Sequence, residues 1–112
     1  MACRLIWSPQ AIADIDGIAA YIARDSEFYA AAVAQRLFDA PTKLLEFPRI
    51  GRVVPETNVD TIREIFIHEY RLMYEIAGDA IHVLAVVHGR RRFSAEMLEP
   101  GVSGNAGARP LP

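Results

Sequence analysis

The chain has 112 residues, 52% of them hydrophobic, with 12 basic and 14 acidic side chains and a formal net charge of −2. That length holds one domain with its own core and excludes two. The single cysteine, Cys3, excludes an internal disulfide framework, and the mildly acidic balance excludes a protein that lives on bulk nucleic-acid binding.

Met1 to Gln10 has no long apolar run behind a basic head, and no later stretch reaches the roughly 18 apolar residues of a membrane span. A soluble, cytoplasmic protein is expected. Arg4 to Trp7 reads as a first strand. Ser8 and Pro9 then supply an N-cap and an N1 residue, and Ile12, Ile15, Ile18, Ala19 and Ile22 follow at helical spacing to about Arg24. Asp25-Ser26 begins a second helix, with Val33, Leu37, Ala40 and Leu44 on one stripe. Pro41 limits it to a helix as far as Ala40 and a bent last turn. The two helices read as an antiparallel hairpin.

Phe47 to Arg52 marks a turn, and Val53 to Asp60 reads as an irregular connection. The period then changes. Thr61 to His68, Arg71 to Ala77 and Ile81 to His88 are rich in Ile, Val, Phe and Tyr, as strands are. Glu69-Tyr70 and Gly78-Asp79 are short links, which predict an antiparallel meander. The last run is apolar on both faces and so reads as a central strand. The expected class is α+β: an N-terminal strand, a two-helix hairpin and a three-stranded meander. One face of the sheet should pack on the hairpin and the other should form a shallow concave surface. Residues 1–99 are expected to be one domain and residues 100–112, rich in Gly, Ala, Pro and Ser, a flexible tail.

Five local stretches sharpen this reading. They are Trp7-Ser8-Pro9-Gln10-Ala11, then Phe47-Pro48-Arg49-Ile50-Gly51-Arg52-Val53-Val54-Pro55-Glu56, Ile62-Arg63-Glu64-Ile65, Tyr70-Arg71-Leu72-Met73-Tyr74-Glu75-Ile76 and Val86-Val87-His88-Gly89-Arg90-Arg91. In this order and spacing, over roughly residues 4 to 97, the chain resembles the RelE/ParE toxin superfamily, in the branch labelled plasmid-stabilisation toxins. The resemblance implies a type II toxin neutralised by a cognate antitoxin from an adjacent gene, with a toxin–antitoxin heterotetramer as one assembly. It implies one of two activities. ParE-like members inhibit growth by binding DNA gyrase. RelE-like members are metal-independent endoribonucleases that cut mRNA on the ribosome. A degenerate member would serve as antitoxin partner and co-repressor alone.

The residues bear on this choice. A metal-free ribonuclease needs a base, an acid and cations for the charge that builds on phosphate. The resemblance places Arg71 and Arg91 where RelE-like members carry such arginines. However, Ile62 and Glu64 stand where that pattern has lysines, and Met97 where it has a tyrosine. His88 stands near the run Arg90, Arg91, Arg92 and is the acid or base candidate, since imidazoles as a class change charge near neutral pH. Under the nuclease alternative, then, the catalytic candidates are Arg71, Arg91 and His88. Each also has a structural reading: His88 as a strand-end cap, and Arg71 as a cross-sheet partner of Glu64 or Glu75. For docking a partner or target, the candidates are Arg52, Arg63, Arg90, Arg91 and Arg92. Arg90 to Arg92 also fit a solvated strand end. No cofactor-binding or metal-binding pattern is present. The missing lysines, the missing tyrosine and the acidic balance favour the ParE-like, gyrase-directed reading.

Overall fold

A computed structural model describes residues 2–89. The runs Arg90 to Arg92, Met97 and the tail 100–112 lie outside the described residues. In chain order the elements are β1 (Arg4–Trp7), α1 (Pro9–Ala23), α2 (Glu27–Asp39), a 3₁₀ helix (Ala40–Leu45), β2 (Arg52–Val53), β3 (Ile62–Ile67), β4 (Tyr70–Ala77) and β5 (Ala80–His88). The class is α+β, as the sequence predicts.

The helix starts follow from their caps. The Ser8 hydroxyl accepts from the Ala11 amide at 3.0 Å, Pro9 occupies the first turn, and the Ser26 hydroxyl accepts from the Tyr29 amide at 3.1 Å. Each cap satisfies an amide that the helix cannot reach. At the other end of α2, Pro41 brings no N–H, and the chain tightens into the 3₁₀ helix.

The sheet order is β1-β5-β4-β3-β2. β1 runs parallel to β5, and all other neighbours are antiparallel. β5 is paired on both edges, which explains its apolar residues on both faces. α1, α2 and the 3₁₀ helix cover one face. Their Ala11, Ile15, Val33, Leu37 and Leu44 meet Ile65, Leu72, Tyr74, Ile81, Val83 and Val86 in one core. Each large aliphatic side chain buried there contributes on the order of 1.5–3 kcal/mol.

Three local expectations need correction. Arg52-Val53 is not turn or irregular chain but a short edge strand, β2, paired with Glu64 and Arg63. The β3–β4 link is His68-Glu69 rather than Glu69-Tyr70, because Ile67 and Tyr70 pair and close the hairpin; His68 takes a left-handed φ of 55° to make the turn. Finally, the face away from the helices is not an open concave surface. Val54, Ile62, Met73, Leu84, Ala85 and Val87 form a second buried cluster there, since these strands carry apolar residues on both sides.

An irregularity in β5 governs where its end points. Met73 pairs with Ala85, but the next residue, Tyr74, pairs with Val83, so Leu84 is a bulge. α1 holds this bulge. The Ser8 hydroxyl donates to the Leu84 carbonyl at 2.9 Å, and the Asp14 carboxylate accepts from the Val86 amide at 2.9 Å. Ile81 and Val83 face the helices before the bulge, and Val86 does so after it. The alternation is therefore shifted by one residue beyond Leu84.

Candidate functional site

β3 and β4 pair so that Glu64 and Met73 share the face away from the helices, together with Arg71 and Phe66. β2 adds Arg52 opposite Glu64. A chain of charges results. The Arg71 Nε donates to Glu64 Oε1 at 2.7 Å, and its two terminal nitrogens hold both Glu56 carboxylate oxygens at 2.8 and 2.9 Å. The Arg52 Nε donates to the other Glu64 oxygen at 2.6 Å. The side chain of Arg71 is 5% exposed and that of Glu64 0%, whereas Arg52 is 59% exposed. Burial of a carboxylate among apolar strands is costly unless its lone pairs are met, and two guanidinium groups meet those of Glu64.

The electrostatics follow the geometry. The hydrogen bonds from Arg71 pull the Glu56 carboxyl below the usual glutamate range, against a smaller opposing effect of burial. Arg71 in turn is held protonated even more firmly than an ordinary arginine, chiefly by Glu56. Its fork is filled from within the chain. What it does here is tie β4 to β3 and to the 54–61 connection.

Beneath the turn before β2, the Tyr74 hydroxyl donates to the Pro48 carbonyl at 2.6 Å and accepts from the Gly51 amide at 3.1 Å. Burial pushes the Tyr74 phenol up in pKa. Gly51 has no room for a side chain: a Cβ would lie 2.5 Å from the Glu64 carbonyl oxygen and 2.7 Å from the Tyr74 hydroxyl. This turn fixes where Arg52 enters the sheet.

The predicted site residues fall in different places. Arg71 is in the ion-pair chain. His88 follows the bulge and lies on the helix side, edge-on to Tyr70 with ring centroids 5.8 Å apart and with Nε2 3.4 Å from Glu69. The structure thus puts Arg71 and His88 on opposite faces of the sheet and does not bring them together. Arg63 points to the helix side, 14% exposed, and binds the Gly51 carbonyl at 2.8 Å and the Asp60 carboxylate at 3.0 Å. Arg52 is the outward-facing member of the described docking candidates. Arg90, Arg91 and Arg92 lie outside the described residues. Sequence reasoning anticipated Glu64 as an Arg71 partner but missed Glu56, which comes from a connection with no periodic signal.

Comparison with known proteins agrees with this architecture. Residues 5–93 match the model of the ParE toxin of the type II toxin–antitoxin system parDE. Toxin RelE2 of Caulobacter vibrioides is 30% identical over 89 residues, covering 79% of this chain and 97% of that one. Two solved structures share the fold at 20% identity. One is the chromosomal ParDE toxin–antitoxin system of P. aeruginosa, with a TM-score of 0.64 over 76% of this chain and 94% of that one. The other is an arginine-to-alanine variant of the E. coli toxin RelE in its free state, with a TM-score of 0.57 over 80% and 86%. This chain belongs to the ParE toxin family of type II toxin–antitoxin systems, within the RelE/ParE superfamily.

Proposed function

We propose that this toxin acts by binding, without chemistry of its own, and that DNA gyrase is its target. The observation that carries the reading is the closed state of Arg71. A guanidinium that stabilises charge on a scissile phosphate must present its fork to that phosphate. Both sides of this fork are taken by Glu56 and Glu64. Ile62 and Glu64 stand where acid–base side chains would be needed, and His88 projects from the other face. The family model supports gyrase as the target through resemblance. The site of action places the protein in the cytoplasm; among the described residues no helix is long and apolar enough to cross a membrane.

The chain is neutralised by a cognate antitoxin encoded next to it, in a complex of the kind the ParDE relative represents. Growth arrest on expression without that gene separates an active toxin from a degenerate co-repressor. A supercoiling assay tests the target directly. Micromolar chain with purified gyrase inhibits supercoiling or traps cleaved DNA; unaltered gyrase removes the proposed target.

A further inference from the structure

The sheet has two outer strands, and they are guarded differently. β2 is two residues long and carries the exposed Arg52. Shortness and charge both deter the addition of another strand. β1 has no such guard along Leu5-Ile6-Trp7. It is paired on one side only, with Leu5 opposite Ile81 and Trp7 opposite Val83 of β5. The Arg4 amide donates to the Asp79 carbonyl at 3.2 Å and the Ser8 amide to the Val83 carbonyl at 3.0 Å, so the even-numbered residues turn their amides toward β5. Leu5 and Trp7 turn theirs, and their carbonyls, outward. These outward groups pair with nothing among the described residues.

The side chains along this edge are apolar. Leu5 and Trp7 pack on the helix-side core, and Trp7 leans on Phe38 with ring centroids 5.2 Å apart. Phe38 is itself 38% exposed. Ile6 lies on the other face by alternation and is half-buried. The one charge of the strand, Arg4, has Asp79 at 3.6 Å. Such an edge selects neither a phosphate backbone nor an acidic peptide. It fits a second apolar strand of the same short length, because α1 begins at Pro9 beyond one end and the Asp79 carbonyl takes the Cys3 amide at the other.

We infer that this edge receives a second copy of the chain, β1 against β1 and antiparallel, in a two-fold dimer that joins the two five-stranded sheets into one. The outward residues, Leu5 and Trp7, are symmetric about Ile6. With the axis at Ile6, Leu5 of one protomer faces the partner's Trp7, and each such pair exchanges N–H···O=C bonds in both directions. All the outward backbone groups of both strands are then used. On one face the two Ile6 side chains meet, and on the other each Leu5 lies against the partner's Trp7. Arg4 falls opposite the partner's Ser8, so no like charges oppose each other. A contact built on a four-residue strand stays below the roughly 800 Å² per partner of lasting interfaces, and the association is accordingly weak and reversible. It leaves the β2 edge of each protomer free and does not depend on the target proposed above.

The chain has one cysteine, Cys3, and one tryptophan, Trp7, and both report on this interface. Cys3 is exposed and takes a nitroxide label. It stands three residues from Ile6, which sets the two Cys3 α-carbons about 20 Å apart across the dimer. Pulsed electron paramagnetic resonance of the labelled chain at roughly 100 μM gives one distance between about 15 and 30 Å, and the signal disappears on dilution to about 1 μM. Trp7 emission shifts over the same dilution. Ile6→Lys brings two ammonium groups together at the axis and weakens association by about tenfold or more, while the circular dichroism of the monomer is kept. A chain that sediments as a monomer at roughly 100 μM overturns the proposal. So does a dimer whose labels lie outside that distance range, even if Ile6→Lys fails to fold. A monomer whose Leu5 and Trp7 amides become protected from exchange only with the protein of the adjacent gene also overturns it, in favour of that partner.

Discussion

Replacement of Arg71 by Met tests whether the sheet arginine is part of the structure. Methionine keeps the length and apolar stem of the side chain but withdraws, among the described residues, one charge-assisted contact to Glu64 and two to Glu56. Glu56 is partly exposed and can turn to water. Glu64 cannot, because its side chain is fully buried. Removal of one member of a buried ion pair costs about 3–5 kcal/mol. Arg52 still holds one Glu64 oxygen, so the low end, about 3 kcal/mol, applies here. At about 4 °C per kcal/mol for a chain of this size, the melting temperature falls by roughly 12 °C. Adding Glu64→Leu removes the stranded carboxylate and fills its site with carbon. The double variant then recovers to within about 1–2 kcal/mol of the original chain, since apolar replacements for buried pairs are well tolerated. Urea and thermal unfolding followed by circular dichroism measure all four members of the cycle. If Arg71→Met alone stays within roughly 0.5 kcal/mol, the range of an ordinary surface substitution, the arginine is not the strut described here and is open to another role.

Three further outcomes follow from the same contacts. Ser8→Ala removes both the α1 cap and the donor to the Leu84 carbonyl, and destabilises by about 1–2 kcal/mol in denaturant titration. Gly51→Ala drives a methyl group into the Glu64 carbonyl and the Tyr74 hydroxyl. It costs about 1–3 kcal/mol, and two-dimensional NMR shifts centre on β2 and Tyr74 rather than the helices. Acid weakens the fold through Glu56. Its folded carboxyl is depressed below the unfolded value of about 4.3, so its contribution is complete above that pH and disappears as pH falls through the lower, folded value. Glu56→Gln removes that part of the acid sensitivity; an unchanged acid profile would show that the carboxylate is not coupled to Arg71.

The helices were legible because their signals are local. Ser8-Pro9 and Ser26 mark starts, and the isoleucine stripe from Ile12 to Ile22 has the right period. The meander was legible through β-branched runs separated by Gly78-Asp79. Three features were not. β2 is two residues long and draws its identity from Glu64 and Arg63, which no window around Arg52 contains. The stretch from Val83 to His88 is too uniformly apolar to reveal a bulge, yet the bulge at Leu84 decides that His88 faces the helices and not Arg71. The Glu56–Arg71 contact spans fifteen residues and begins in a connection without periodicity, so its charge could be noted in sequence but its partner could not. Arg91, named beside Arg71 in the nuclease alternative, lies outside the described residues.

The most direct test of a toxin without its own chemistry is primer extension on a defined mRNA incubated with translating ribosomes and the purified chain. Full-length message is expected, indistinguishable from ribosomes alone, at chain concentrations that inhibit gyrase. Message cut at codons in the decoding site, with the cuts lost on Arg91→Ala, would contradict it.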